Sequence, residues 1–273
     1  MLQRGVSMPR GEQWVQGSGA RRLRDTAPVS FTELLAIAPS EEDRVQILKD
    51  LPRTFPEHPF FAVDVDPGKD GGDTLQPSDP ANSLIFPMQR VLTALVVRTQ
   101  GGYTQGLNFI AAVILLAGVS EEDTFWCVVA VVEELFPNFY SDELSGTKIE
   151  NAIIGTLLKQ QLPLLSSHLV EMGIPAELFT TEWVMTLLAK VLPVTLEQNP
   201  CARVFDLLLG GGDWARPPQR DARGVLIRLI IAALERVQDR VVSTDDIMEV
   251  MGLLRALPAE LAEDLEGFLT QAE

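Results

Sequence analysis

The tetrapeptide Ser-Glu-Glu-Asp occurs twice in this chain, at 40–43 and at 120–123. A serine followed by three acids marks a helix start, because the hydroxyl accepts a first-turn amide and the carboxylates sit at the positive end of the helix dipole. Apolar residues then follow at helical spacing: Val45, Ile47, Leu48 and Leu51 up to Pro52, and Phe125, Trp126, Val129, Val132 and Leu135 up to Pro137. Further helical blocks are expected over Leu84–Arg98, Gln105–Leu116, Ile149–Gln161, Leu164–Met172, Ala176–Leu192 and Pro200–Leu209, most of them bounded by Gly or Pro. Three more, Arg220–Arg240, Thr244–Leu257 and Ala259–Gln271, are rich in Leu, Ile, Ala, Glu and Arg, which helices favour or tolerate. No stretch alternates with period two, although the β-branched run Val128–Val132 would be ambiguous by itself, and no repeat of fixed period appears. The expected fold class is all-α.

Charge and the scarcity of reactive residues remove several functions. With 22 Lys plus Arg against 38 Asp plus Glu, the net charge is −16, which offers no summed positive field for nucleic acid or anionic lipid. Apolar residues make up 46% of the 273, enough for one large or two small globular domains. Two cysteines, Cys127 and Cys201, are too few for a disulfide framework, and the first residues lack a basic-then-apolar secretory pattern, so a reducing cytosol is the expected home. Two histidines, His58 and His168, and no Cys-x-x-Cys pair leave neither zinc-ligand spacing nor an evident triad base. The most apolar stretch, Leu107–Val119, falls short of the ~20 residues that cross a bilayer as a helix.

Two segments interrupt the helical pattern. Asp64–Ser83 carries Asp64, Asp66, Asp70, Asp73 and Asp79 among glycines and prolines and reads as an exposed acidic loop. A calcium loop starting at Asp64 would put Lys69 where Gly is needed and Leu75 where the bidentate Glu is needed. Gly210-Gly211-Gly212-Asp213-Trp214 has no following Lys-Ser or Lys-Thr to complete a phosphate loop, and reads as a connector. Trp14, Trp126, Trp183 and Trp214 are expected as packing anchors, Cys127 as a small core hydrophobe, His58 as a loop residue and His168 on the polar edge of a half-buried helix.

Chemistry must then come from short polar clusters at helix ends. In Ile47–Pro56, Arg53 follows Asp50 by three residues and stands between Pro52 and Pro56, so a stiff exit turn would present its planar fork while Asp50 holds the stem. Taken alone, this cluster reads first as an ordinary helix-terminal ion pair, since surface Asp and Arg pairs are common and nearly neutral in energy. In Gly101–Asn108, Gln105 lies between glycines just before a very apolar helix. With Asn108 it would either cap that helix or project beyond it, and a carboxamide can both donate to and accept from one water.

Taken together, these clusters resemble a known family. Asp50 and Arg53 match I-x-x-D-x-x-R with the extension Arg53-Thr54-Phe55-Pro56, Tyr103 and Gln105 match Y-x-Q, and Arg4-Gly5-Val6 with Arg10–Trp14 is similar to an opening R-G-V-P…R-G-x-x-W. Arg203-Val204-Phe205-Asp206 is similar to a later R-I-W-D. The motifs and their order resemble the TBC-domain family of Rab GTPase-activating proteins over essentially the whole chain. Departures are Ser7 for Pro, Thr104 for Cys, Phe205 for Trp, and the acidic loop.

The resemblance implies a V-shaped, two-lobed, all-helical domain over 1–273, with an N-terminal lobe to about 147 carrying both motifs and a C-terminal lobe from about 148. It implies an activator that grips a GTP-bound Rab protein as a monomer and has no reaction of its own. Arg53 would neutralise phosphate charge and Gln105 would orient the attacking water, supported by Asp50, Thr54, Tyr103, Gly106 and Asn108. It would need no cofactor beyond the partner's GTP and Mg²⁺, and would reach endomembranes only through the Rab. A non-catalytic helical scaffold or effector for a small GTPase is the alternative, and the presence of both fingers argues against it.

Overall fold

A computed structural model describes residues 8–64, 76–141, 143–194, 199–210 and 221–272. Seven helices come first: α1 (Arg10–Gly17), α2 (Ala20–Thr26), α3 (Phe31–Leu35), α4 (Glu41–Asp50), α5 (Ile85–Thr99), α6 (Leu107–Leu116) and α7 (Glu121–Ala130). A second series comprises α8 (Ser145–Gln161), α9 (Pro163–Glu171), α10 (Glu177–Met185), α11 (Pro200–Leu208), α12 (Ala222–Val241), α13 (Ile247–Glu263) and α14 (Leu265–Ala272). The fold is all-helical; among the described residues the strand content is one two-residue antiparallel pair, Val63–Asp64 with Gln76–Pro77.

Both Ser-Glu-Glu-Asp segments do what their chemistry requires. Ser40 Oγ accepts the Asp43 amide and Ser120 Oγ the Asp123 amide, each at 3.1 Å, starting α4 and α7. In the first series α5 packs against α3, α4, α6 and α7, and α7 against α1, α2 and α6. Every residue of α6 from Leu107 to Leu115 is buried, as befits a helix apolar on all sides. In the second series α12 is the spine, packed against α8, α9, α10, α11, α13 and α14.

Asp206 joins the two series. Its Oδ1 accepts from Trp14 Nε1 and Arg10 Nε at 3.0 Å each, and its Oδ2 accepts from Arg203 at 3.1 Å. Arg203 in turn grips Glu266 of α14. Two sequence motifs almost 200 residues apart, Arg10–Trp14 and Arg203–Asp206, therefore meet at one carboxylate. Trp14 is fully buried against Phe205, with ring centroids 5.7 Å apart.

The structure departs from the sequence reading at several helix ends. Ala176–Leu192 is not one helix: α10 stops at Met185, and Leu187 and Leu188 follow with φ of 51° and 65°. The Met185 carbonyl accepts the Tyr140 hydroxyl at 3.1 Å, giving the helix end a partner from outside. The last helical break falls at Asp264 and not at Pro258, because Leu254, Leu257 and Leu261 continue one buried stripe through the proline turn. The helix that opens at Gln105 in the sequence reading starts at Leu107, leaving Gln105 ahead of it. His58 lies in a loop, as its sequence suggests, and is buried there: it is 4% exposed, packed against Phe60 and Phe61, with Nδ1 accepting the Phe60 amide at 3.3 Å.

Trp14, Trp126, Trp183 and Cys127 are buried, and burial pushes the Cys127 thiol up to about 12. His168 is half-buried, its Nε2 2.9 Å from the Thr244 carbonyl. Trp214, most of the acidic loop and most of the Gly210–Trp214 connector lie outside the described residues, as does the Arg4–Ser7 part of the opening motif. Among the described residues no helix is long and apolar enough to cross a membrane, and no group of three His, Cys, Asp or Glu is arranged to hold a metal.

Two predictions follow from these contacts. Asp206→Ala leaves the Trp14 N–H buried without an acceptor and is expected to cost about 1–3 kcal/mol in urea unfolding. Desolvation lowers the His58 pKa below 6.5, so on acidification the unfolded chain takes up this proton first. The stability due to neutral His58 is complete above about pH 6.5 and is lost as pH falls from there through the lowered native value. His58→Gln should flatten that part of the stability profile, read from urea melts at pH 7.5 and pH 5.

Candidate functional site

α4 carries the first cluster to its place. Its last turn runs into a 3-10 turn, Leu51–Arg53, with Pro52 at a position where a missing N–H costs nothing. Leu51 is fully buried and fixes the turn against the core. Arg53 Nε donates to the Lys49 carbonyl at 3.0 Å, one of the otherwise orphaned acceptors at the end of α4. One of its terminal nitrogens pairs with Asp50 Oδ1. The Arg53 side chain is nonetheless 60% exposed, whereas that of Asp50 is only 5% exposed. One edge of the guanidinium is thus held by the protein and the rest faces outward.

Phe55 takes a left-handed φ of 45°. A non-glycine residue pays roughly 1–2 kcal/mol for that. Its ring packs edge-on against Phe109 of α6 at 5.4 Å and Phe61 at 6.1 Å, and that packing returns the chain toward the core directly after Arg53.

The second cluster folds against the first. Tyr103 O–H lies 2.9 Å from Asp50 Oδ2 and 3.2 Å from Asn108 Oδ1. Its one proton favours the charged acceptor. Burial, then the Asp50 charge and the bond to it, hold the phenol well above its ordinary pKa, so it stays protonated and donates. Asn108, 1% exposed in the first turn of α6, accepts the Gly106 amide at 3.1 Å and donates to Thr54 Oγ1 at 2.7 Å. Thr54, itself fully buried, donates to the Asp50 carbonyl at 2.8 Å. Asp50, Tyr103, Asn108 and Thr54 thus form a ring of polar neighbours in which the one phenol proton serves Asp50 and the Tyr103–Asn108 side is a 3.2 Å contact, with Arg53 attached at Asp50 and the Gln105 loop attached at Gly106.

Gln105 itself is exposed, while its two neighbours are fixed. Thr104 Oγ1 donates to the Tyr140 carbonyl at 3.1 Å. Gly106 has φ of 113°, and a Cβ there would come within 2.9 Å of the Met185 carbonyl oxygen, so both the conformation and the close approach require glycine. A groove of about 640 Å³ opens beside the loop, lined by Tyr103, Thr104 and Gln105 together with Glu42, Asp43 and Met185 among others; Arg53 is not part of its lining.

The sequence-predicted residues Asp50, Arg53, Thr54, Tyr103, Gly106 and Asn108 are therefore joined in one network, and Gln105 is borne by it. Sequence reasoning missed Tyr140 and Met185, which support the loop from the far side. They carry no motif, and only the fold brings them there. It also took Asp43 for a helix-start acid alone, whereas Asp43 Oδ1 accepts the Tyr103 amide.

Comparison with known proteins places the chain in a family. Residues 10–242 match the model of the Rab-GTPase-TBC domain. Small G protein signaling modulator 3 of Mus musculus is 28% identical over 268 residues, covering 96% of this chain and 31% of that protein. Growth hormone-regulated TBC protein 1 of Homo sapiens is 26% identical over 251 residues, covering 91% of this chain and 66% of that one. The chain thus spans about a third of the first relative's length and just under two thirds of the second's. Among solved structures, the Chlamydomonas flagellar RabGAP TBC domain superposes with a TM-score of 0.71 at 22% identity, over 98% of this chain and 80% of that one. The Ypt/Rab-GAP domain of Gyp1p gives 0.73 at 17% identity, over 97% and 88%. Both share the all-helical fold. On the match over residues 10–242, the chain belongs to the Rab-GTPase-TBC domain family.

Proposed function

We propose that this chain activates GTP hydrolysis by a GTP-bound Rab-family GTPase, supplying Arg53 and Gln105 in trans. The observation that supports this best is the buried cluster of hydrogen bonds that ties the turn presenting the exposed Arg53 to the distant loop bearing the exposed Gln105. Membership of the Rab-GTPase-TBC domain family points to the same partner class.

Phosphoryl transfer asks a protein mainly for positioning and for charge placed where charge develops. Asp50 and the Lys49 carbonyl hold one edge of Arg53, so the free edge can meet the phosphate oxygens with little loss of rotamer freedom. Gln105 can orient the attacking water, donating and accepting at once. Tyr103, Thr54, Asn108 and Gly106 carry no charge to the reaction and set the geometry. GTP and Mg²⁺ belong to the GTPase, where the bond is broken. In this reading the domain works as a monomer, with both finger segments on an N-terminal lobe to about residue 147, in the cytoplasm and at endomembranes where its Rab resides.

The test is single-turnover phosphate release from a panel of GTP-loaded Rab proteins. Arg53→Ala should lower the accelerated rate by about 10³–10⁵, or roughly 4–7 kcal/mol of barrier, and Arg53→Lys should restore little because an ammonium lacks the planar fork. Equal rates for wild type and Arg53→Ala would refute the mechanism. Gln105→Ala should lose on the order of tenfold to a hundredfold, as expected for a misplaced water. An unchanged rate there would mean that the GTPase positions the water with its own residues. Rab binding without acceleration by the wild-type protein would identify a scaffold instead.

A further inference from the structure

The two Ser-Glu-Glu-Asp helix starts are identical in sequence, and in both the serine hydroxyl donates to Oδ2 of the third acid, Asp43 at 2.6 Å and Asp123 at 2.9 Å. They differ in what Oδ1 does. Asp123 Oδ1 accepts from Arg24 at 2.7 Å, tying α7 to α2. Asp43 Oδ1 accepts the backbone amide of Tyr103 at 2.5 Å. The same capping device therefore has a second hand free, and on α4 that hand reaches the loop bearing Gln105.

Helical geometry makes this bond more than a local contact. Asp43 and Asp50 are seven residues apart, so they project from α4 within about 20° of each other and about 10.5 Å apart along its axis. Tyr103 lies along that face with its amide on Asp43 and its phenol on Asp50. One residue, two positions before Gln105, is thus held at both ends by carboxylates of the helix that presents Arg53. The phenol bond fixes the ring, and the Asp43 bond fixes the backbone at Tyr103 itself, ahead of the contacts made by Thr104 and Gly106. Gly102, with φ of 74°, brings the chain to this point, its site for a Cβ lying 3.5 Å from Asp43 Oδ1.

We propose that Asp43 is a positioning residue for Gln105: it clamps the backbone of the glutamine loop to α4, so that both fingers ride on one helix. The proposal rests on the activator reading above. It assigns Asp43 no contact with nucleotide or water.

The experiment compares Asp43→Ala, Asp43→Asn and Asp123→Ala, using the Rab protein that responds to the wild-type domain. Asp123→Ala loses the equivalent helix-start contact and serves as the control for capping. Asp43→Ala should lower kcat by on the order of tenfold with KM within about twofold, because the loop is misplaced and not removed. Asp43→Asn retains an acceptor oxygen and should recover most of the loss. In a Gln105→Ala background, Asp43→Ala should cost less than about twofold, since there is no carboxamide left to position. An Asp43→Ala protein no slower than Asp123→Ala, or a full tenfold loss in the Gln105→Ala background, overturns the proposal.

A second readout is independent of any GTPase. The chain has two tyrosines, so ¹⁵N-tyrosine labelling gives two amide signals. The Tyr103 amide, donating to a carboxylate, should stand downfield in wild type and move upfield in Asp43→Ala, but not in Asp123→Ala. An amide that stays in place overturns the clamp whatever the Rab proteins show. An amide that moves, in a domain whose wild type accelerates no Rab, overturns the activator reading and with it the role given to Asp43.

Discussion

A carboxylate 3% exposed at the end of a helix has to be matched by donors, because burying it without partners is costly. Asp50 is matched by Arg53 on one oxygen and Tyr103 on the other. That single requirement fixes the rest of the site. It draws the loop before α6 onto α4, it holds one edge of an otherwise exposed guanidinium, and it places Tyr103 beside Asn108, which bonds Thr54. Each member of the ring is buried or half-buried, and each polar group in it has a partner, so the cluster resists rearrangement more than its separate bonds would suggest.

Rigidity matters because Arg53 and Gln105 are themselves on the surface. A long exposed side chain loses rotamer freedom when it is immobilised by a partner. Here the backbone beneath each has been ordered during folding. Arg53 follows a buried Leu51 and precedes a buried Thr54, and Gln105 stands between a pinned threonine and a glycine wedged against Met185. The order has been placed in the support, leaving only the tips to be organised by an encounter.

Much of this was legible in the sequence, for physical reasons. Helix starts are written locally, as serine plus acids, and both Ser-Glu-Glu-Asp segments formed as expected. The Asp50–Arg53 pair is also local, three residues apart on one turn. Features decided by distant partners were not legible. Nothing near Met185 shows that the helix ends there, because the residue capping its carbonyl is Tyr140. Pro258 suggested a break that the buried stripe of Leu254, Leu257 and Leu261 overrides. His58 is the loop residue that Glu57 and Pro59 beside it suggest, but its burial was not legible because the aromatic rings that cover it are its neighbours in space. The Asp43–Tyr103 bond could have been suspected from two acids spaced seven apart on α4, but only once the loop was known to lie along that face.

The contact of Gly106 with Met185 has a mechanical meaning. Met185 belongs to the second series of helices and Gly106 to the first, and the carbonyl between them is also gripped by Tyr140 from the connection leading into α8. The glutamine loop is therefore seated on a seam. α10 reaches the loop through this carbonyl, while Tyr103 bonds the same loop to Asp43 and Asp50 of α4. Amino acids far from either fingertip, along the packing of α8 and α12 beneath α10, hold that alignment.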